Sequence, residues 1–158
     1  MVGTRAVRRP PFAGLLALVV AGCVRAPVGP PEIVLDRTAC RRCSMLVSEA
    51  ASAAAALPAG AAEAWVFDDA GCLFAALAEE PGGGEAARVW LQDAEGGGWI
   101  DAAGAVLVAV PGGLTPLGSG IVAFRDAAAA RRFAAERGGE VLGLAAARDR
   151  FAAEGGRG

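Results

Sequence analysis

Four cysteines and two methionines carry the soft and nucleophilic chemistry open to this chain, and three of those sulfurs fall within six residues, Cys40-Arg41-Arg42-Cys43-Ser44-Met45. Histidine and tyrosine are absent, and so is lysine. Those absences exclude a Ser-His-Asp triad, a Cys-His pair, an H-E-x-x-H zinc helix and an imidazole proton shuttle. They also exclude Schiff-base chemistry, a phosphate-loop lysine and a tyrosine acid. No nucleophile can be given a paired base from the residues that remain, so the chain reads as a protein without catalytic activity.

A Cys-x-x-Cys pair by itself is consistent with a metal clip, a redox disulfide or a structural bridge. In an extended strand residues i and i+2 face the same side, so a strand after Cys43 would put the Cys43 sulfur and the Met45 thioether on one edge. Thiolate plus thioether suits Cu(I), which soft ligands select. A gap-filling core position for Met45, beside Leu46 and Val47, accounts for the spacing equally well. For Cys40 the ordinary role is a disulfide to Cys43, which suits an oxidising compartment and is incompatible with copper while it lasts. Cys72 follows Ala70 by two residues near an expected helix N-terminus, where the dipole favours a thiolate. A small buried apolar residue beside Leu73 and Phe74 is the more ordinary role for it. Asp36 and Asp101 are either outer acids of a site or simply solvated.

Two other chemistries compete. A thiol-disulfide oxidoreductase of the cell envelope would use Cys40-x-x-Cys43, with Thr115-Pro116 standing where such folds place Thr before a cis-proline. Against it, Ser44-Met45-Leu46-Val47 is strand-like where a redox helix should start, and no aromatic residue precedes Cys40. A structural zinc clip would have three cysteines and no histidine, which leaves its fourth position to Asp or water.

These sulfurs must be positioned by 158 residues with 54% hydrophobic content, 20% charge and nine prolines, enough for one compact domain or two very small ones. Two segments share a layout. Ala64-Trp65-Val66-Phe67-Asp68-Asp69 reads as a strand ending in acidic caps, followed by a helix over 70–80 stopped by Pro81-Gly82-Gly83-Gly84. The second copy is a strand over 120–124, Arg125-Asp126, and an Ala-rich helix to about Arg137 stopped by Gly138-Gly139. A strand follows each helix, over 88–92 and over 140–144. Phe67 and Phe124 occupy matching places 57 residues apart. Between the copies, Val106-Leu107-Val108 flanked by alanines suggests a buried strand bounded by Pro111-Gly112-Gly113. The alanines at 53–56 fit helix or strand. The expected fold is α+β, two small ββαβ-type modules with mostly antiparallel strands, roughly residues 32–95 and 96–151.

The N-terminus reads as a targeting segment. Arg5, Arg8 and Arg9 precede an apolar run over 12–20 that is too short to span a bilayer. Val20-Ala21-Gly22-Cys23 resembles the lipobox of bacterial lipoproteins, which predicts a signal peptide over 1–22 and a lipid on Cys23; an ordinary secretory cleavage site is the alternative. Residues 23–31, rich in proline, form a tether ahead of a domain over 32–158. Cutting before Cys23 leaves 12 basic residues against 17 acidic ones, a net charge of −5, and no basic stripe for nucleic acid.

Several stretches, in order along the chain, resemble the NosL family of copper-binding lipoproteins in nitrous oxide reductase maturation. They are the Cys-x-x-Cys-x-Met opening, Phe67-Asp68-Asp69-Ala70-Gly71-Cys72, Trp99-Ile100-Asp101-Ala102 with Ala105, Thr115-Pro116-x-Gly118, and Gly138-Gly139-Glu140-Val141-Leu142. The likeness covers roughly residues 36–151. It implies a pair of ββαβ modules, Cu(I) ligation by Cys43 and Met45, and a periplasmic, membrane-anchored metallochaperone whose partner is nitrous oxide reductase in denitrification. The family commonly has methionine after Thr-Pro, where this chain has Leu117. A third sulfur must then come from Cys40 or Cys72, or the site is weaker.

Overall fold

The structure, a computed structural model, describes residues 29–80, 84 and 88–155. Among them the elements run β1 (Ala54–Leu57), β2 (Trp65–Phe67), α1 (Ala70–Glu79), β3 (Arg88–Gln92), β4 (Trp99–Asp101), β5 (Val106–Ala109), β6 (Ile121–Phe124), α2 (Ala127–Arg137), β7 (Glu140–Leu142) and α3 (Leu144–Gly155). They build one sheet ordered β2-β1-β3-β4 and a second ordered β6-β5-β7, every pairing antiparallel. The α+β class and the doubled ββαβ pattern are therefore as expected: in each copy the first strand is central, the second pairs on one side, and the strand after the helix pairs on the other.

Local chemistry explains the repeat. Asp69 and Asp126 stand 57 residues apart like Phe67 and Phe124, and each caps the helix that follows it. The Asp69 carboxylate accepts from the Gly71 N–H at 2.5 Å, and that of Asp126 from the Ala129 N–H at 2.7 Å. Gly138 ends α2 in the left-handed conformation, and the N–H groups of Gly138 and Gly139 close on the Ala134 carbonyl. Of the stop expected for α1 at 81–84, residues 81–83 lie outside the described residues; α1 ends at Glu79.

The alanines at 53–56 resolve as buried extended chain leading into the central strand β1. Direct cross-strand partners share a face, so register defines the core row Phe67, Ala54, Leu91 and Ile100 across the first sheet. In the second sheet Ala123, Leu107 and Leu142 make the corresponding row. Both rows belong to one hydrophobic cluster. The opposite face of β5 points Val108 at α2, where Phe124, Ala129, Ala130 and Ala134 complete a second cluster, as the two-residue period of a strand requires. Asp93 ties the two sheets: its Oδ1 accepts from the Arg125 N–H at 3.3 Å, and the neighbouring Ala94 N–H donates to the Ala123 carbonyl at 2.9 Å.

Two expectations are corrected. The strand predicted over 140–144 ends at Leu142, and a third helix, α3, starts at Leu144. Its signal is a stripe at Leu144, Ala147 and Phe151, spaced three and four, packed on the main core. Phe151 stacks on Phe74 of α1 with ring centroids 6.0 Å apart. The segment after Cys43 is also not a strand. Ser44 has φ +63°, and only an isolated bridge joins Ala39 to Leu46.

Candidate metal site

The site sits where β2 turns into α1. The segment carrying Cys40 and Cys43 folds into a tight loop: the Cys40 N–H donates to the Met45 carbonyl at 2.7 Å, and the Ser44 N–H returns to the Cys40 carbonyl at 3.0 Å. The Arg41 N–H donates to the Val66 carbonyl of β2 at 2.8 Å, docking the loop on the first sheet. The Arg41 guanidinium covers the Trp65 ring at 4.9 Å. Cys72 lies in the first turn of α1, just after the Asp69 cap.

These elements bring the sulfurs of Cys40, Cys43 and Cys72 within 4.8 Å of one another. All three are free thiols, Cys40 and Cys72 buried and Cys43 half-buried. Metal–thiolate bonds of about 2.3 Å set sulfurs roughly 4 Å apart in trigonal or tetrahedral coordination, so this triangle fits one soft ion after a small contraction. Cys72 is thus both a core residue and a member of the thiol cluster.

The thiols differ in their hold on a proton. Burial raises Cys40, but hydrogen bonds from the backbone of Cys43, Asp68 and Arg42 and from the Cys43 side chain outweigh it, leaving its pKa below the ordinary thiol value. Burial pushes Cys72 well up, and the negative character of Cys40 and Cys43 pushes it further. The helix dipole does not prevail here, because loss of water and two neighbouring sulfurs act at shorter range. Asp68 is fully buried, accepts from the Ser48 N–H at 3.2 Å, and has its carboxyl pKa raised first by burial and then by Asp69 and Glu49.

A cavity of about 360 Å³ opens beside the thiols, lined by Arg42, Cys43, Asp69, Gly71, Cys72, Ala75, Leu117, Ser119 and Phe151. Leu117 arrives there on a β-turn in which Pro116 follows Thr115 and the Gly118 N–H donates to the Thr115 carbonyl at 2.9 Å. The buried Thr115 hydroxyl donates to the Asp69 carboxylate and accepts from the Gly120 N–H at 3.1 Å, fixing the turn against the helix cap. The Thr115-Pro116 bond is trans, since no cis peptide occurs among the described residues, and the resemblance to a cis-proline redox loop does not hold.

Met45 is 51% exposed, so it is not a core filler. The left-handed Ser44 also breaks the extended geometry that was to align its thioether with Cys43. Asp36 and Asp101 do not line the cavity; Asp101 faces Arg88 at 3.7 Å. Cys23 lies outside the described residues, and among those described no helix is long and apolar enough to cross a membrane. Sequence reasoning missed Arg42, Gly71, Ser119 and Phe151, whose place at the cavity depends on chain segments far apart in sequence.

Two antiparallel sheets with helices, and three free thiols gathered beside a helix N-terminus, define a small α+β protein with a cysteine cluster able to hold a metal ion. The chain belongs to the NosL family, whose model matches residues 31–150. Its fold is similar to the crystal structure of the copper chaperone NosL from Shewanella denitrificans, with a TM-score of 0.65 at 19% identity, covering 75% of this chain and 95% of that one. No curated protein matches the sequence. Family membership agrees with the expectation of a protein that is not an enzyme.

Proposed function

We propose that this chain is a Cu(I)-binding metallochaperone, anchored through a lipid on Cys23 to the periplasmic side of a bacterial membrane, which supplies copper for assembly of the nitrous oxide reductase cluster. The observation that carries the copper reading is the triangle of free thiols within 4.8 Å beside an open cavity. An all-sulfur donor set without histidine suits a soft monovalent ion. Cys40, Cys43 and Cys72 hold the ion, and the exposed Met45 thioether stands on the loop that carries Cys43. The likeness to a copper chaperone and the family match support this reading; the anchor and the enzyme partner rest on the sequence motifs.

The test is metal analysis of protein purified under anaerobic, reducing conditions, followed by competition with a Cu(I) chelator. The expected result is one Cu(I) per chain. Cys43→Ser removes the most accessible of the three sulfurs, the other two being buried, and strongly lowers affinity. Met45→Leu, which keeps volume and loses only the sulfur, produces a smaller loss with stability retained. Unchanged affinity in both variants overturns the site. The competing thiol-disulfide oxidoreductase reading predicts turnover of disulfide substrates instead, which a reductase assay measures.

A further inference from the structure

Arg42 lies on the wall of the thiol cavity together with Cys43 and Cys72. Its guanidinium is held by Glu79 near the end of α1, through Nη2 at 2.9 Å and Nε at 3.3 Å. The adjacent Arg41 goes to the Trp65 ring. Of the two arginines between Cys40 and Cys43, then, one anchors the loop and the other is placed at the sulfurs. The Arg42–Glu79 pair is half-exposed, with side chains 38% and 56% accessible. An ion pair of that kind contributes little to stability, so its consequence is directional: it holds a cation in one place. Glu79 is not part of the cavity wall, whereas Arg42 is; the one acid on that wall, Asp69, is taken up by the Gly71 N–H and the Thr115 hydroxyl.

Charge arithmetic gives that cation a role. Three thiolates around a monovalent ion carry a net charge of −2, and around a divalent ion −1. Cys40 and Cys72 are 2% and 6% exposed, so solvent offsets that charge poorly. Attraction to a fixed cation scales with the charge of the complex, and it is twice as large for the monovalent case.

We propose that Arg42, held by Glu79, is the fixed counter-charge of the thiol site and biases it toward monovalent over divalent soft metal ions. The inference rests on the copper reading above. Arg42 is a specificity-determining residue that acts on the charge of the complex without ligating the metal.

The experiment measures Cu(I) and Zn(II) affinities by chelator competition, anaerobically, for the wild-type chain, Arg42→Gln and Arg42→Lys. Both metals displace the same thiol protons, so the comparison between them does not depend on how the thiols titrate. Arg42→Gln is expected to lose about tenfold in Cu(I) affinity and about threefold in Zn(II) affinity, half as much on a logarithmic scale. Arg42→Lys, which keeps the charge, recovers most of the Cu(I) loss. Equal losses for both metals, or none, overturn the inference while leaving the copper reading standing. A wild-type chain that binds no Cu(I) overturns the copper reading, and the inference with it.

Discussion

Gly71 and Ser119 approach more closely than any side chain at position 71 would allow: a Cβ on Gly71 would lie 2.5 Å from the Ser119 Cβ and 3.0 Å from Cε1 of Phe151. The first turn of α1, the turn bearing Leu117 and helix α3 converge at this one glycine. Gly71→Ala therefore forces the 115–119 turn away from α1. Overpacking of this kind costs about 1–3 kcal/mol. A lowered thermal midpoint and a weaker metal site are expected together, measured by calorimetry and chelator competition. An alanine variant with unaltered stability would show that the turn moves freely.

Leu117 shares the cavity with Cys43 and Cys72, so the turn delivers position 117 to the sulfurs. Leu117→Met places a thioether there at nearly constant volume, with a packing cost under about 1.5 kcal/mol. Cu(I) affinity should rise by about tenfold, equivalent to about 1.4 kcal/mol. Cys40→Ser and Cys72→Ser should each cost less in the Leu117→Met background, since ligands of one ion are not additive. X-ray absorption would reveal the added sulfur, and an unchanged coordination number counts against the geometry.

Cys72 supplies a pH dependence. Its pKa is raised, so the free protein keeps the proton at neutral pH, and a metal ion must displace it. Affinity should then climb as pH rises from 6 to 8, with a slope of about one proton from this residue. In Cys72→Ser no such proton is released and the slope falls by about that amount. Titrations at three pH values decide it; equal slopes would remove Cys72 from the coordination sphere.

The anchor is tested separately. Cys23→Ser abolishes the lipid-bearing residue, and fractionation should find the protein released from membranes with its Cu(I) affinity intact, because the site begins at Cys40. Retention in the membrane pellet would contradict lipidation at Cys23.

Much of the architecture is written locally. The pairing of Phe67 with Phe124 and of Asp69 with Asp126 repeats a strand end and a helix cap at equal spacing, and such features depend only on near neighbours in the chain. The Cys-x-x-Cys loop is legible for the same reason. Helix α3 goes unread: its signal, the Leu144, Ala147 and Phe151 stripe, is short and Ala-rich and follows directly on a strand. The strand expected after Cys43 is absent because one dihedral, the positive φ of Ser44, cancels the two-residue period.

What the sequence by itself determined is therefore the α+β class, the doubled module and the presence of a soft donor set free of histidine. The tertiary structure alone decided which donors meet. Cys72 joins Cys40 and Cys43 because the β2–α1 corner packs against a loop docked on Val66, and Leu117 and Arg42 reach the same cavity through a buried Thr115–Asp69 contact and a Glu79 ion pair. Those meetings are set by burial and by hydrogen bonds across distant segments, which no local spacing encodes.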